Sequence, residues 1–282
     1  MKNLLLILGA AALLFSAQLT GQQIDYATDK KAMQKTDEQL IGTHLYLPRE
    51  DEEPVDVNFY HPDGAQTVPL IINLHGGAFI AGDADALDTQ SDRLSHDWNY
   101  AFATINYTLA RDGVSIEYGT QEVVDTVNYF KAHAQEYAID PEQIVLMGYS
   151  AGGCHAIMSA LALKEEGVDV AAQVLCYPFI SDAIEKYQKL TPEQQQTIAP
   201  ALFVLADNDP ISEGSLGYET VLKNSGVSTE VLRYPAAKHG FLEETNPEYA
   251  NLKTATAHSP EQEVLAHQAE QDIWNWLDAQ LK

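Results

Sequence analysis

The chain has 282 residues, with 16 Lys and Arg against 41 Asp and Glu, for a formal charge of −25 at neutral pH. At 45% hydrophobic and 9% aromatic it can bury a full core, which excludes a disordered chain in spite of the charge. The acidity disfavours nucleic acid and anionic membranes, both of which are held by clustered Lys and Arg; as a solubility device it asks for no function of its own.

Lys2 precedes an apolar run at 4–15, which is followed by the small Ser16 and Ala17 and the polar Gly21, Gln22 and Gln23. A short positive region, an apolar core and small residues behind it make a secretory signal peptide, and the run is too short to span a membrane. Residues 1–21 are therefore read as a signal peptide, cleaved between 17 and 22, and 22–282 as one exported, soluble domain. Residues 22–42 are polar with weak helical spacing (Ile24, Met33, Leu40) and are expected on the outside of the fold. Beyond the acidic stretch 50–53, alternation of Val55, Val57 and Phe59 predicts a half-buried strand. Turn chemistry at 61–64 and the apolar run 69–74 suggest a hairpin feeding a buried strand.

Strands and helices then alternate. Strands are predicted at 101–107, 143–148, 171–177, 201–206 and 229–234. Helices are predicted at 121–137, 152–166, 213–224 and 260–281. Short apolar strands separated by helices imply an α/β fold, with a mostly parallel central sheet covered by helices on both faces. Cys154 and Cys176, the only two cysteines, could bridge after export, yet both lie in apolar segments where a free thiol packs as a small hydrophobe. Without a CxxC pair a structural zinc is not expected. No cofactor or metal is called for, and the oligomeric state is left open.

Gly148-Tyr149-Ser150-Ala151-Gly152-Gly153 lies between a strand and a helix. A GxSxG at that junction places its serine on a strained turn that lifts the hydroxyl above the sheet, over the positive end of the following helix. Serine needs a base. His44, His61, His96 and His133 fall in surface segments, His155 on the helix after Ser150, and His258 and His267 on or beside the last helix. His239 instead lies in a loop at the C-terminal edge of a strand, where open α/β sheets place their ligands. The strand 201–206 runs into Asp207-Asn208-Asp209-Pro210, so either acid could orient the imidazole. A calcium loop is a poor reading of this stretch, since Ile211 falls where an oxygen ligand is required. His75-Gly76-Gly77-Ala78-Phe79, directly after the strand 70–74, suits a turn whose amides point at a tetrahedral oxyanion.

These motifs, with Tyr107-Thr108-Leu109-Ala110, Asp209-Pro210 and His239-Gly240-Phe241, resemble the α/β-hydrolase serine esterases, in particular the hormone-sensitive-lipase-like and carbohydrate-esterase-like branches, across about 54–282. The resemblance implies the α/β-hydrolase fold, with Ser150 as nucleophile, His239 as base and Asp209 as the orienting acid. It also implies an oxyanion hole from the amides of Gly77, Ala78 and Ala151, with Gly76 making the turn and His75 propping the loop. Ala78 stands where such proteins commonly have glycine, and a positive φ would cost it about 1 kcal/mol. The segment 178–200 has room for a small helix or lid only, so the cap is small or absent. A shallow site favours short acyl groups, such as acetyl esters of carbohydrates. The other readings are a peptidase of the same fold, which the triad alone does not separate from an esterase, and a binding module without turnover.

Overall fold

The computed structural model describes residues 33–64, 66–111, 113–252 and 255–282. The run at 4–15 read as a signal peptide, and the helical reading up to residue 32, lie outside them. From 34 to 42 the chain turns and does not form a helix. Carboxylates take up its donors: Lys35 N–H reaches Asp85 Oδ2 at 2.6 Å, and Ile41 N–H reaches Asp88 at 3.1 Å.

Eight strands form one sheet. In chain order they are β1 (Thr43–Arg49), β2 (Glu52–Tyr60), β3 (Val68–Leu74), β4 (Ala101–Ile105), β5 (Ile139–Tyr149), β6 (Ala172–Cys176), β7 (Ala201–Ala206) and β8 (Thr229–Tyr234). Their spatial order is β1-β2-β4-β3-β5-β6-β7-β8. The strands from β3 to β8 run parallel, whereas β2 is antiparallel to β4 and to β1. The expected hairpin of β2 with β3 is therefore not formed. The hairpin is β1–β2, closed by Asp51 at φ 58, and β3 lies between β4 and β5. The reason is burial: β3 is apolar on both faces and suits the sheet's centre, while the alternating β2 suits a flank.

The helices are α1 (Asp88–Trp98), α2 (Ile116–Ala132), α3 (Ala151–Glu165), α4 (Ala183–Lys189), α5 (Pro192–Gln196), α6 (Pro210–Asn224) and α7 (Pro260–Gln280). Successive strand residues feed two separate cores, as the two-residue period of a strand demands. Leu70, Ile72, Leu74, Ile144, Leu146, Phe203 and Leu205 pack with Val127 and Phe130 of α2, Ile157 and Leu161 of α3, and Tyr218 and Leu222 of α6. Ile71, Val145, Met147, Leu202 and Val204 pack on the other face, with Leu94 and Trp98 of α1 and Ile273 and Trp276 of α7. Cys154 belongs to the first core and Cys176 to the second, so the sheet separates them and both are free, buried thiols. Between β6 and β7 only the short helices α4 and α5 intervene, in place of a cap. Among the described residues no helix is long and apolar enough to cross a membrane.

The chain leaves β3 toward β4 on one side, and β5 enters on the other. Strand order therefore reverses between β3 and β5, whose ends are in register at Leu74 and Gly148. Such a reversal opens a crevice at the C-terminal strand ends, and it sets the loop after β3 beside the turn after β5.

Candidate active site

Ser150 follows β5 directly and opens α3, with φ 52 and ψ −110. A serine in that conformation is strained by about 1–3 kcal/mol, and neighbouring glycines make it attainable. A Cβ on Gly148 would fall 2.3 Å from Gly152 O, and one on Gly152 would fall 2.1 Å from Leu74 O. The turn is pinned to the next strand and loop, because Ser150 N–H donates to Cys176 O at 2.9 Å and Phe179 N–H to Ser150 O at 3.0 Å.

His239 lies in the loop after β8. Its Nε2 is 2.9 Å from Ser150 Oγ and its Nδ1 is 2.7 Å from Asp209 Oδ2. Tyr177, at φ 39 beyond β6, meets the imidazole edge-on with ring centroids 5.0 Å apart. Asp209 caps α6: it accepts from Ile211 N–H at 3.0 Å, Ser212 N–H at 3.2 Å and Ser212 Oγ at 2.8 Å. Asp207, two residues earlier and directly after β7, instead pairs with Arg233 at 2.7 Å on the surface. The two acids left open by the motif are thus separated by geometry, and Asp209 is the one at the imidazole.

Burial alone would discharge His239, but the hydrogen bond to Asp209, that carboxylate's charge, and those of Glu243 and Glu244 outweigh it and hold the pKa above the ordinary histidine value. Burial works against the charged Asp209 in the same way. The His239 hydrogen bond and charge, followed by Ile211 N–H and the Ser212 hydroxyl, bring its pKa below the usual carboxylate value. An ionised acid beside a basic imidazole suits proton abstraction from Ser150.

After β3 the backbone runs through Gly77 (φ 120), Ala78 (φ 53) and Phe79 (φ 68). Ala78 does take the positive φ whose cost its side chain raises, and Phe79 shares it. Gly76 does not carry the turn as expected; its own φ is ordinary, and its lack of a Cβ makes room for Glu243, as described below. Ala151 is the first residue of α3, where an N–H lacks an intrahelical acceptor, and the start of that helix lies against the loop after β3, since a Cβ on Gly152 would fall 2.1 Å from Leu74 O and 2.5 Å from His75 O. His75 is buried, stacks on Tyr107 at 4.2 Å between centroids, and has its carbonyl held by Tyr107 OH at 2.8 Å.

The remaining histidines are elsewhere. His44 sits between Asp37 and Asp56, His267 beside Glu270, and His258 against Glu244 O. His155 is buried next to Tyr107 and Thr120, with a pKa pushed down to about 3 by burial and then by His75. Among the described residues no group of three His, Cys, Asp or Glu side chains is placed to hold a metal ion. Sequence reasoning passed over Glu243 and Glu244, which follow His239 by four and five residues; their only signal was acidic character directly after the apolar Phe241 and Leu242.

Residues 57–210 match the model of the BD-FAE family. The chain is similar to the ethyl acetate hydrolase of Pseudomonas putida, 24% identical over 249 residues that cover 74% of this chain and 78% of that one. It is also similar to an acetyl esterase of Salmonella typhi, 26% identical over 229 residues covering 67% and 69%. Among solved structures, a thermostable esterase from Pseudomonas putida ECU1011 superposes with a TM-score of 0.72 at 16% identity, over 91% of this chain and 89% of that one. At that identity the likeness speaks for the α/β-hydrolase fold.

Proposed function

The chain belongs to the BD-FAE family, and from that premise we propose that it is a serine carboxylesterase acting on short acyl esters. The observation that carries the reading is the continuous relay Ser150 Oγ–His239–Asp209, with contacts of 2.9 and 2.7 Å, built on a strained serine at a helix N-terminus. The ester hydrolase names of the relatives at Pseudomonas putida and Salmonella typhi support the choice of bond.

Ser150 Oγ attacks the ester carbonyl while His239 Nε2 takes its proton. The tetrahedral oxyanion meets the N–H groups of Gly77, Ala78 and Ala151, already oriented by the turn and the helix start. Asp209 fixes the tautomer through Nδ1–H and stabilises the imidazolium. The alcohol leaves with the proton from Nε2. Water, losing a proton to the same nitrogen, then attacks the acyl-serine, and as the C–Oγ bond breaks Nε2 returns that proton to Ser150 Oγ, freeing the acid. Only the short helices α4 and α5 intervene between β6 and β7, in place of a larger cap, which supports a small acyl group on a bulky alcohol, acetylated carbohydrate included. With residues 1–21 read as a signal peptide, the mature enzyme works outside the cytoplasm as one domain.

Purified protein is expected to hydrolyse p-nitrophenyl acetate and to label stoichiometrically with a fluorophosphonate. Ser150→Ala is expected to abolish labelling and lower turnover by several orders of magnitude. Parent-level turnover in that variant refutes Ser150 as nucleophile. A panel of acetylated sugars, aryl esters and peptide amides reads the substrate class; preference for the amides refutes the esterase assignment.

A further inference from the structure

The imidazole and the oxyanion turn stand on two loops far apart in sequence, one after β8 and one after β3. Glu243 spans the space between them. Its Oε2 accepts Gly76 N–H at 2.9 Å, joining positions 167 residues apart. The glycine is shaped to this carboxylate, because a Cβ at Gly76 would fall 2.2 Å from Glu243 Oε1. On its own side Glu243 is firmly mounted. Its N–H and that of Glu244 both donate to Gly240 O, at 3.1 and 2.8 Å. Gln90 Nε2 holds Leu242 O at 3.0 Å, and Glu244 Oε2 accepts Ala257 N–H at 2.7 Å.

Glu243 is 5% exposed. Placing a carboxylate there is costly unless its acceptors are used, and an apolar side chain could fill the volume without holding an N–H. We propose that Glu243 is a positioning residue for ester hydrolysis, tying the oxyanion turn through Gly76 N–H to the loop that carries His239. The inference rests on the esterase reading.

Charge gives it a readout that simple packing lacks. Among the described residues, the ionisable groups that feel Glu243 include His239 and Glu244 on its own loop, Tyr107 after β4, Tyr149 at the end of β5, Cys176 and Tyr177 at β6, and Tyr249; His75 adjoins the Gly76 that Glu243 holds. Burial drives the tyrosines and Cys176 far up, so they stay neutral near pH 7. Burial also pushes Glu243 up to about 7, opposed by Gly76 N–H, with Glu244's charge raising and His239's lowering it. Once ionised, Glu243 favours the protonated form of His239.

The test compares Glu243→Gln and Glu243→Ala with the parent in p-nitrophenyl acetate kinetics from pH 5 to 9, alongside fluorophosphonate labelling rates and thermal melts. Glu243→Ala is expected to lower kcat by at least about tenfold with KM changed much less, since the lost alignment acts on the transition state. Glu243→Gln keeps an acceptor for Gly76 and is expected to restore most of kcat. Because it removes a charge that favours the imidazolium, its acidic limb is expected at lower pH than the parent's. If Glu243→Ala does not fold, the Gln variant's pH limb and labelling rate decide. A folded Glu243→Ala within about twofold of the parent kcat, or a Gln variant with an unmoved acidic limb, overturns the proposal. A parent that neither labels nor turns over overturns the esterase reading beneath it and takes the proposal with it.

Discussion

Gly152→Ala asks whether the serine turn and the oxyanion turn must approach as closely as they do. The new Cβ would lie 2.1 Å from Leu74 O and 2.5 Å from His75 O, where ordinary contact begins at 3.4 Å. The start of α3 and the end of β3 would have to separate by about 1.3 Å. Neither yields readily. Leu74 is fixed between Ile105 of β4 and Gly148 of β5, and His75 O holds the Tyr107 hydroxyl. The displacement falls on the gap between Ser150 and the turn after β3, whose amides the proposed mechanism assigns to the oxyanion. A misplacement of about 1 Å is worth about 10²-fold in rate, equivalent to about 2.7 kcal/mol of barrier, while overpacking takes about 1–3 kcal/mol from stability. The assay is kcat for p-nitrophenyl acetate, with circular dichroism and a thermal melt to establish that the variant folds. A folded Gly152→Ala protein within about fivefold of the parent kcat would show that the approach of the two turns is not what sets the rate.

Asp209→Asn is expected to lower kcat by about three to four orders of magnitude, by reversing the tautomer His239 needs, whereas Asp207→Asn, which loses only the surface pair with Arg233, should stay within about twofold; equal effects would undo the assignment of the acid. Because the His239 pKa is raised and the neutral imidazole is the active form, kcat/KM of the parent should fall as pH drops through a midpoint above 6.5; a lower midpoint contradicts the geometry. Glu244 is pushed up to about 7 by burial, against its Ala257 N–H bond, so the folded state holds this proton more tightly than the unfolded one. That stabilisation is complete below the unfolded value near 4.5, is lost as pH rises through about 7, and amounts to about 3 kcal/mol at most. Glu244→Gln should therefore gain in Tm relative to the parent between pH 5 and pH 8 by scanning fluorimetry, and a difference independent of pH refutes the shift.

Much of this architecture is written in local pattern. The apolar runs at 69–74, 143–148 and 201–206 are strands because both their faces are covered, and GxSxG between a strand and a helix has few other mechanical uses. What stayed hidden depends on partners remote in sequence. Helix α1 carries buried Asp88, Gln90, Ser91 and Ser95, so it shows no apolar stripe; its polar face is satisfied by Tyr60, Leu242 O and Thr104 from elsewhere in the chain. Strand β1, with exposed Tyr46 between half-buried Leu45 and buried Leu47, has the weak alternation of a sheet edge. Asp207 and Asp209 are chemically alike on paper, and only the direction of the turn after β7 sends one to Arg233 and the other to His239. Gly76 looked like a turn residue, yet the carboxylate that requires it lies 167 positions away.

Backbone strain explains why these elements had to be assembled as a sheet. Among the described residues seven non-glycine positions have positive φ, and four of them, Ala78, Phe79, Ser150 and Tyr177, stand at the C-terminal ends of β3, β5 and β6. Each such conformation costs about 1–3 kcal/mol and persists only where the surroundings over-determine it. Here those surroundings are three adjacent parallel strands, apolar on both faces and held between two helical layers. The bonds that hold each turn reach across to the next element: Ser150 N–H to Cys176 O, Tyr177 N–H to Val204 O, Ala110 N–H to Phe79 O. Relaxing Phe79, Ser150 or Tyr177 would therefore break a contact to its neighbour, which couples the serine turn, the turn after β3 and the packing behind His239. Loss of activity should accordingly precede loss of fold when the contacts between strand ends are loosened, as the glycine substitution at position 152 is designed to do.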